Sequence, residues 1–166
     1  EDFVCHTDMS GSPFFVIKSE GNEPGDATLQ EGVNATFSFS RALKLGLYTA
    51  RTFWVRPDQV TKEANSGEYL SKGAFMIRGK TNYLAPQMDL AIGITAGGAI
   101  MCGPAAAIAK NTEKHLVLEA MKAKTSDTAK KIRQEIGGEL DDIIRALPPG
   151  EVGIKKDMDT RKKAKR

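Results

Sequence analysis

The chain has 166 residues, 40% of them apolar and 27% charged, enough for one well-cored domain that buries roughly 70% of its unfolded surface. Its net charge of +3 is uneven, with five Lys/Arg against eight Asp/Glu in residues 1–60 and seven against two from Lys155 to Arg166. Cys5 and Cys102 lie far apart and lack a C-x-x-C spacing, so neither a disulfide framework nor a zinc site is indicated, and both are expected to be small buried residues in a reducing, cytosolic setting.

The chain opens on Glu1 rather than a methionine, and its first residues already read as a strand, so a preceding segment is expected. Phe3, Cys5 and Thr7 alternate with Val4, His6 and Asp8 up to the turn Ser10-Gly11-Ser12-Pro13, and a second strand follows from Phe14 to Ile17. Thr28-Leu29-Gln30-Glu31 has the form of a capping box, which predicts a helix start there, with Leu29, Val33, Phe37 and Leu43 on its apolar side and Gly46 as its stop. Thr49 to Arg56 is β-branched and aromatic, with Phe53 and Val55 on one face and Thr52, Trp54 and Arg56 on the other; Pro57 ends it. Shorter strands are expected at Ala74–Arg78, Asp89–Ile94, Ala99–Met101 and His115–Glu119.

Leu90 to Ala109 is a twenty-residue run without a charge, about the length that crosses a bilayer. Its glycines and Pro104 argue instead for strand, a turn at Gly97-Gly98, strand and a small-residue loop. No basic and apolar leader opens the sequence, so neither a secretory signal nor a membrane partner is expected. Ser126 to Leu147 reads as a second main helix, with Ile132, Ile136, Leu140, Ile143 and Ile144 on one side, a break or kink at Gly137-Gly138, and a firm stop at Pro148-Pro149-Gly150. The fold class is therefore α+β: a mostly antiparallel sheet with two main helices. Residues 155–166 form a self-repelling basic tail that should be disordered alone, either solubilising or gripping RNA.

Several motifs invite chemistry. Ala74 to Thr81 satisfies a relaxed phosphate-loop pattern, but Phe75, Met76 and Ile77 favour a strand where such a loop needs a glycine-rich turn entering a helix. His6 and Asp8 share a strand face, the geometry of an acid–base or metal pair, yet no further ligand stands nearby; a network that stabilises the following turn is the better reading. Asn34-Ala35-Thr36 fits a glycosylation acceptor but falls inside the first predicted helix. Arg51, Trp54, Arg56, Lys62, Tyr69, Lys72, Arg78, Lys80 and Tyr83 interleave cations with rings, which suits phosphate contact and base stacking. The competing reading is a solvated basic face beside a core tryptophan.

These residues also carry a resemblance. His6-Thr7-Asp8-Met9-Ser10-Gly11-Ser12-Pro13, followed by a hydrophobic strand and Lys18, resembles the H-x-D-x-x-G-S/A-P opening of the NFACT-R family. Trp54 to Lys62, Ser66-Gly67-Glu68-Tyr69-Leu70 and Gly73 to Lys80 resemble its central signature, and Gly103-Pro104, Ala129-Lys130-Lys131-Ile132 and Leu147-Pro148-Pro149-Gly150 resemble the distal part of archaeal members. The resemblance implies a domain over residues 1–154 of the ribosome quality-control group that includes NEMF, Caliban and RqcH, proteins that bind obstructed large ribosomal subunits and tRNA. It implies a non-catalytic, cytoplasmic RNA-binding module without a cofactor. The candidate RNA contacts are His6, Asp8, Ser12, Arg51, Arg56, Lys62, Tyr69, Lys72, Arg78, Lys80, Lys162 and Lys163. Two departures stand out: the sequence lacks the family's upstream W-x-x-F and G-G-R-D-like motifs, and the NFACT-N domain of tail-adding members. Strands missing upstream would leave an open sheet edge, able to pair with that segment or with another polypeptide. In that alternative the domain is a protein-interaction piece of a larger quality-control protein.

Overall fold

The computed structural model describes residues 2–156; most of the basic tail, with Lys162 and Lys163, lies outside the described residues. The chain forms two compact units, Glu1–Met88 and Asp89–Arg166. Both are α+β with antiparallel sheets, as the sequence predicts.

The first unit is built on a four-stranded sheet, β1 (Phe3–Thr7), β2 (Phe15–Ile17), β3 (Thr52–Val55) and a strand at Asn82–Leu84, here called β6. Its order is β2-β1-β3-β6. Between β3 and β6 a short ribbon pairs β4 (Val60–Thr61) with β5 (Met76–Ile77). Alternation along β1 sends Phe3, Cys5 and Thr7 inward, where α1 (Asp26–Ser38) lies on them through the buried Leu29, Val33 and Phe37. Burying each such aliphatic or aromatic side chain contributes about 1.5–3 kcal/mol. Gly32 permits the approach, because a Cβ there would stand 2.9 Å from both Cys5 Sγ and Ile17 Cδ1. Burial in this layer pushes the Cys5 thiol up to about 12, which disfavours the reactive thiolate.

Two expectations are corrected here. The first helix starts at Asp26 with Gly25 as its N-cap and no side-chain cap bond, so Thr28 to Glu31 lie within the helix rather than forming a capping box. The acidic Asp26 in the first turn meets the positive end of the helix dipole instead. Nor does the helix run to Gly46. It stops at Ser38, and Ser40 Oγ accepts from Ala42 N at 3.2 Å to begin a separate turn, α2 (Arg41–Lys44). The first strand, β1, is paired on both sides, by β2 and by β3, so the open edges of this sheet are β2 and β6.

The second unit has a sheet of order β10-β9-β7-β8, formed by β7 (Leu90–Ile94), β8 (Ile100–Gly103), β9 (Lys114–Ala120) and β10 (Val152–Ile154). The uncharged run from Leu90 is a hairpin with a Gly97-Gly98 turn, as predicted, but its end is not a loop: Ala105–Asn111 form α3. Consecutive alanines favour helix, and Asp89 Oδ1 accepts from Ala105 N at 3.1 Å, satisfying an amide that Pro104 at the N-cap cannot. No described helix is long and apolar enough to cross a membrane. The second predicted helix is two, α4 (Thr125–Ile136) and α5 (Leu140–Ala146). Gly137 and Gly138 separate them with φ of 84° and 92°, in the region that favours glycine, and a Cβ on Gly138 would lie 2.7 Å from Ile100 Cδ1. Ile132, Ile136 and Ile143 are buried on the inner side, whereas Ile144 is exposed.

Candidate nucleic-acid interface

The face of the first sheet opposite α1 follows from period two. Cys5 and Thr7 point to the helix, so Val4 and His6 point away, and the register sets His6 beside Phe53 and Phe53 beside Tyr83. The β1–β2 hairpin brings Phe14 up to the same place. The His6 and Phe14 rings are stacked at 4.2 Å between centroids with planes 6° apart. Phe75, from the loop that joins β4 to β5, meets Phe14 edge-on at 5.3 Å. In the other direction His6 meets Phe53 at 6.2 Å and Phe53 meets Tyr83 at 5.5 Å, both edge-on.

A cation closes each end of this row. Lys62 Nζ stands 5.5 Å from the Phe75 centroid, and the Arg51 guanidinium carbon lies 4.2 Å above Tyr83. Such contacts contribute about 0.5–1 kcal/mol at exposed sites. The row thus runs Lys62, Phe75, Phe14, His6, Phe53, Tyr83, Arg51. Only Phe53 is buried; Phe14, Phe75 and Tyr83 are 40%, 39% and 41% exposed. Leaving that much ring in water forgoes burial energy, a sign that the face serves binding rather than packing.

Asp8 organises the Arg51 end. Its Oδ1 accepts from the Tyr83 hydroxyl at 2.8 Å and its Oδ2 lies 3.5 Å from Arg51 Nε, so one carboxylate orients both ring and guanidinium. His6 Nδ1 donates to the Pro13 carbonyl at 3.0 Å. Thr7 Oγ1 accepts from Met9 N at 3.1 Å and is hydrogen-bonded to Ser12 Oγ. The predicted turn network is therefore present, and His6, Asp8 and Ser12 are all tied to structural partners. No group of three or more His, Cys, Asp or Glu placed to hold a metal occurs among the described residues. Residues 74–81 are no phosphate loop: Met76–Ile77 is a strand and no helix follows.

The remaining sequence candidates do not share one surface. Arg56 is on the α1 side, 5.5 Å over the Phe3 ring, and its two terminal nitrogens meet the Glu23 carboxylate at 2.5 and 3.2 Å. Lys80 lies beside Trp54, Gln30 and Asn82 in a cleft of about 580 Å³. Trp54 itself is half-buried against Phe3. Arg78 grips Glu68 with two bonds of 2.8 and 2.6 Å and reaches the Glu63 carbonyl at 3.2 Å. The Arg78 bonds, with the Asn65 amide, hold the Glu68 carboxyl down to about 2. Lys72 is exposed in the same loop, where Tyr69 is 90% exposed. Phe14, Phe53 and Phe75 are absent from the candidates read from sequence, whereas Tyr83 was singled out there among the interleaved cations and rings. The signal for Phe14 and Phe53 was the period-two pattern, which puts them on the face of His6.

A sheet face carrying a row of part-exposed rings between two cations is the arrangement of a nucleic-acid-binding domain. The comparison with protein families agrees: residues 1–79 match the NFACT protein RNA binding domain. The archaeal Rqc2 homolog aRqcH of Methanocaldococcus jannaschii is 38% identical over 157 residues, covering 90% of this chain and 23% of the relative. The ribosome quality control complex subunit NEMF homolog of Drosophila melanogaster is 38% identical over 96 residues, 57% of this chain and 10% of its own length. Human NEMF is 41% identical over 86 residues, 51% of this chain and 8% of its own length. The chain thus spans about a quarter or less of these relatives. No solved structure matches it.

Proposed function

We propose that the chain is a non-catalytic module of ribosome-associated quality control that works in the cytoplasm by holding unpaired nucleotides of tRNA or large-subunit RNA on stalled complexes. The observation that carries this reading is the row of rings from Phe75 to Tyr83 between Lys62 and Arg51. Every base has a π face, and stacking on an aromatic side chain is worth about 1–3 kcal/mol per base. Lys62 gives one end of the row a cation for phosphate, and the Drosophila and human relatives are by name a homolog and a subunit of the ribosome quality control complex. Cations of the tail, among them Lys162 and Lys163, add an electrostatic grip that is not specific for sequence.

The test is titration of the full chain with unfractionated tRNA at several salt concentrations. Phe14→Ala and Tyr83→Ala should each weaken binding about thirtyfold, the middle of the stacking range, without changing the salt slope. Neutralising Lys162 and Lys163 together should instead flatten the slope by about 1.4, at roughly 0.7 per phosphate on single strands. Unchanged affinity in both ring variants would overturn the proposal.

A further inference from the structure

The loop between β4 and β5 is more ordered than its length and exposure require. Glu68 N donates to Asn65 O at 3.0 Å and Ala74 N to Ser71 O at 3.0 Å, so two tight turns flank Tyr69-Leu70. Asn65 N in turn donates to Glu68 Oε2 at 2.8 Å. From β5's end, Arg78 closes the structure by its two bonds to Glu68 and a third to the Glu63 carbonyl. The loop's far end carries Phe75 onto the ring row through Phe14. What this staple holds out is a tyrosine 90% exposed, while its neighbour Leu70 is half-buried. Ordering a loop costs about 1–2 kcal/mol of entropy per residue, and a packed core gains nothing from a side chain left in water.

We infer that Tyr69 is a stacking site for an unpaired nucleobase, a detached extension of the ring row, and that Arg78 positions it through Glu68 rather than contacting phosphate. This rests on the RNA-binding reading above and adds the site and its support to it. The geometry distinguishes the two roles of Arg78. Both terminal nitrogens lie on Glu68, and the pair carries no net charge to offer a phosphate. Lysine cannot reproduce a two-pronged bond to a carboxylate, so the support depends on arginine itself.

The test measures binding of a labelled short oligoadenylate to the full chain by fluorescence anisotropy. Tyr69→Ala, which removes an exposed ring and disturbs no core, should weaken binding roughly fivefold or more, at an unchanged salt slope. Glu68→Gln should weaken it comparably although it makes the chain more positive, and Arg78→Lys should do the same although it keeps the charge. The proposal is overturned if Tyr69→Ala binds like the parent. It is equally overturned if Glu68→Gln binds as tightly as the parent or more so, since freeing Arg78 helps only a phosphate contact. Phe14→Ala reports separately on the ring row: intact binding there beside a loss in Tyr69→Ala would sink the row and support the Tyr69 site.

Discussion

The two units share an architecture, a four-stranded antiparallel sheet with helices, and differ in what covers the sheet. In the second unit, β7 is buried at every position from Leu90 to Gly93, where α3 packs on it, while α4 and α5 pack on the neighbouring β9, β10 and β8. In the first, only the α1 face is closed by a helix, and the opposite face ends in rings and cations. Placement of the helices decides which sheet is scaffold and which can be an interface. The surplus of positive charge follows a different rule, since three of the first unit's arginines, Arg51, Arg56 and Arg78, are paired with carboxylates. Affinity from rings and affinity from free cations are therefore separable.

The largest effect expected of a single change that breaks this contrast is in the second sheet. Ile92 is fully buried there, and Ile92→Ala should cost about 2–5 kcal/mol in urea unfolding. In conditions where the variant remains folded, its RNA affinity should stay within about twofold of the parent, a shift of under 0.5 kcal/mol. A parallel loss of RNA binding would mean that the interface is not confined to the first sheet. The smallest effect sharpens the contrast at the Arg78 staple. Glu68 is held down to about 2 from an ordinary 4.5, so whatever stability it adds to the loop is present in full above its unfolded value and disappears as pH falls through about 2. Carboxyl resonances followed by NMR should show that midpoint, and Arg78→Lys should move it upward. An ordinary midpoint in the parent would show that the staple does not persist in solution.

Much of the fold was legible because period and punctuation are local. The β1 alternation, the hairpin at Gly97-Gly98 and the glycine break at Gly137-Gly138 were all readable. The short strands β6 and β10 were not, because three residues each carry too little pattern. Thr28 to Glu31 misled because a capping box reads the same inside a helix as at its start; Gly25 and Asp26 supplied the true beginning. At the site, the sequence showed the cations but not their partners. Glu23 stands 33 residues before Arg56, and Tyr83 stands 75 residues after Asp8, distances at which pairing depends on the folded sheet. Residues singled out for charge, such as Arg56 and Arg78, turned out to hold acids, while the rings that line the face drew less notice than the cations around them. The boundary between Met88 and Asp89 has no linker composition to mark it.

The central claim is that RNA lies along the ring row. Photocrosslinking of full chain to tRNA, with the modified peptides and residues identified by mass spectrometry, addresses it directly. Adducts should concentrate on Phe14, Phe75 and Tyr83, with Tyr69 as a separate site. Adducts confined to the second unit and the tail, with the rings untouched, would contradict the account.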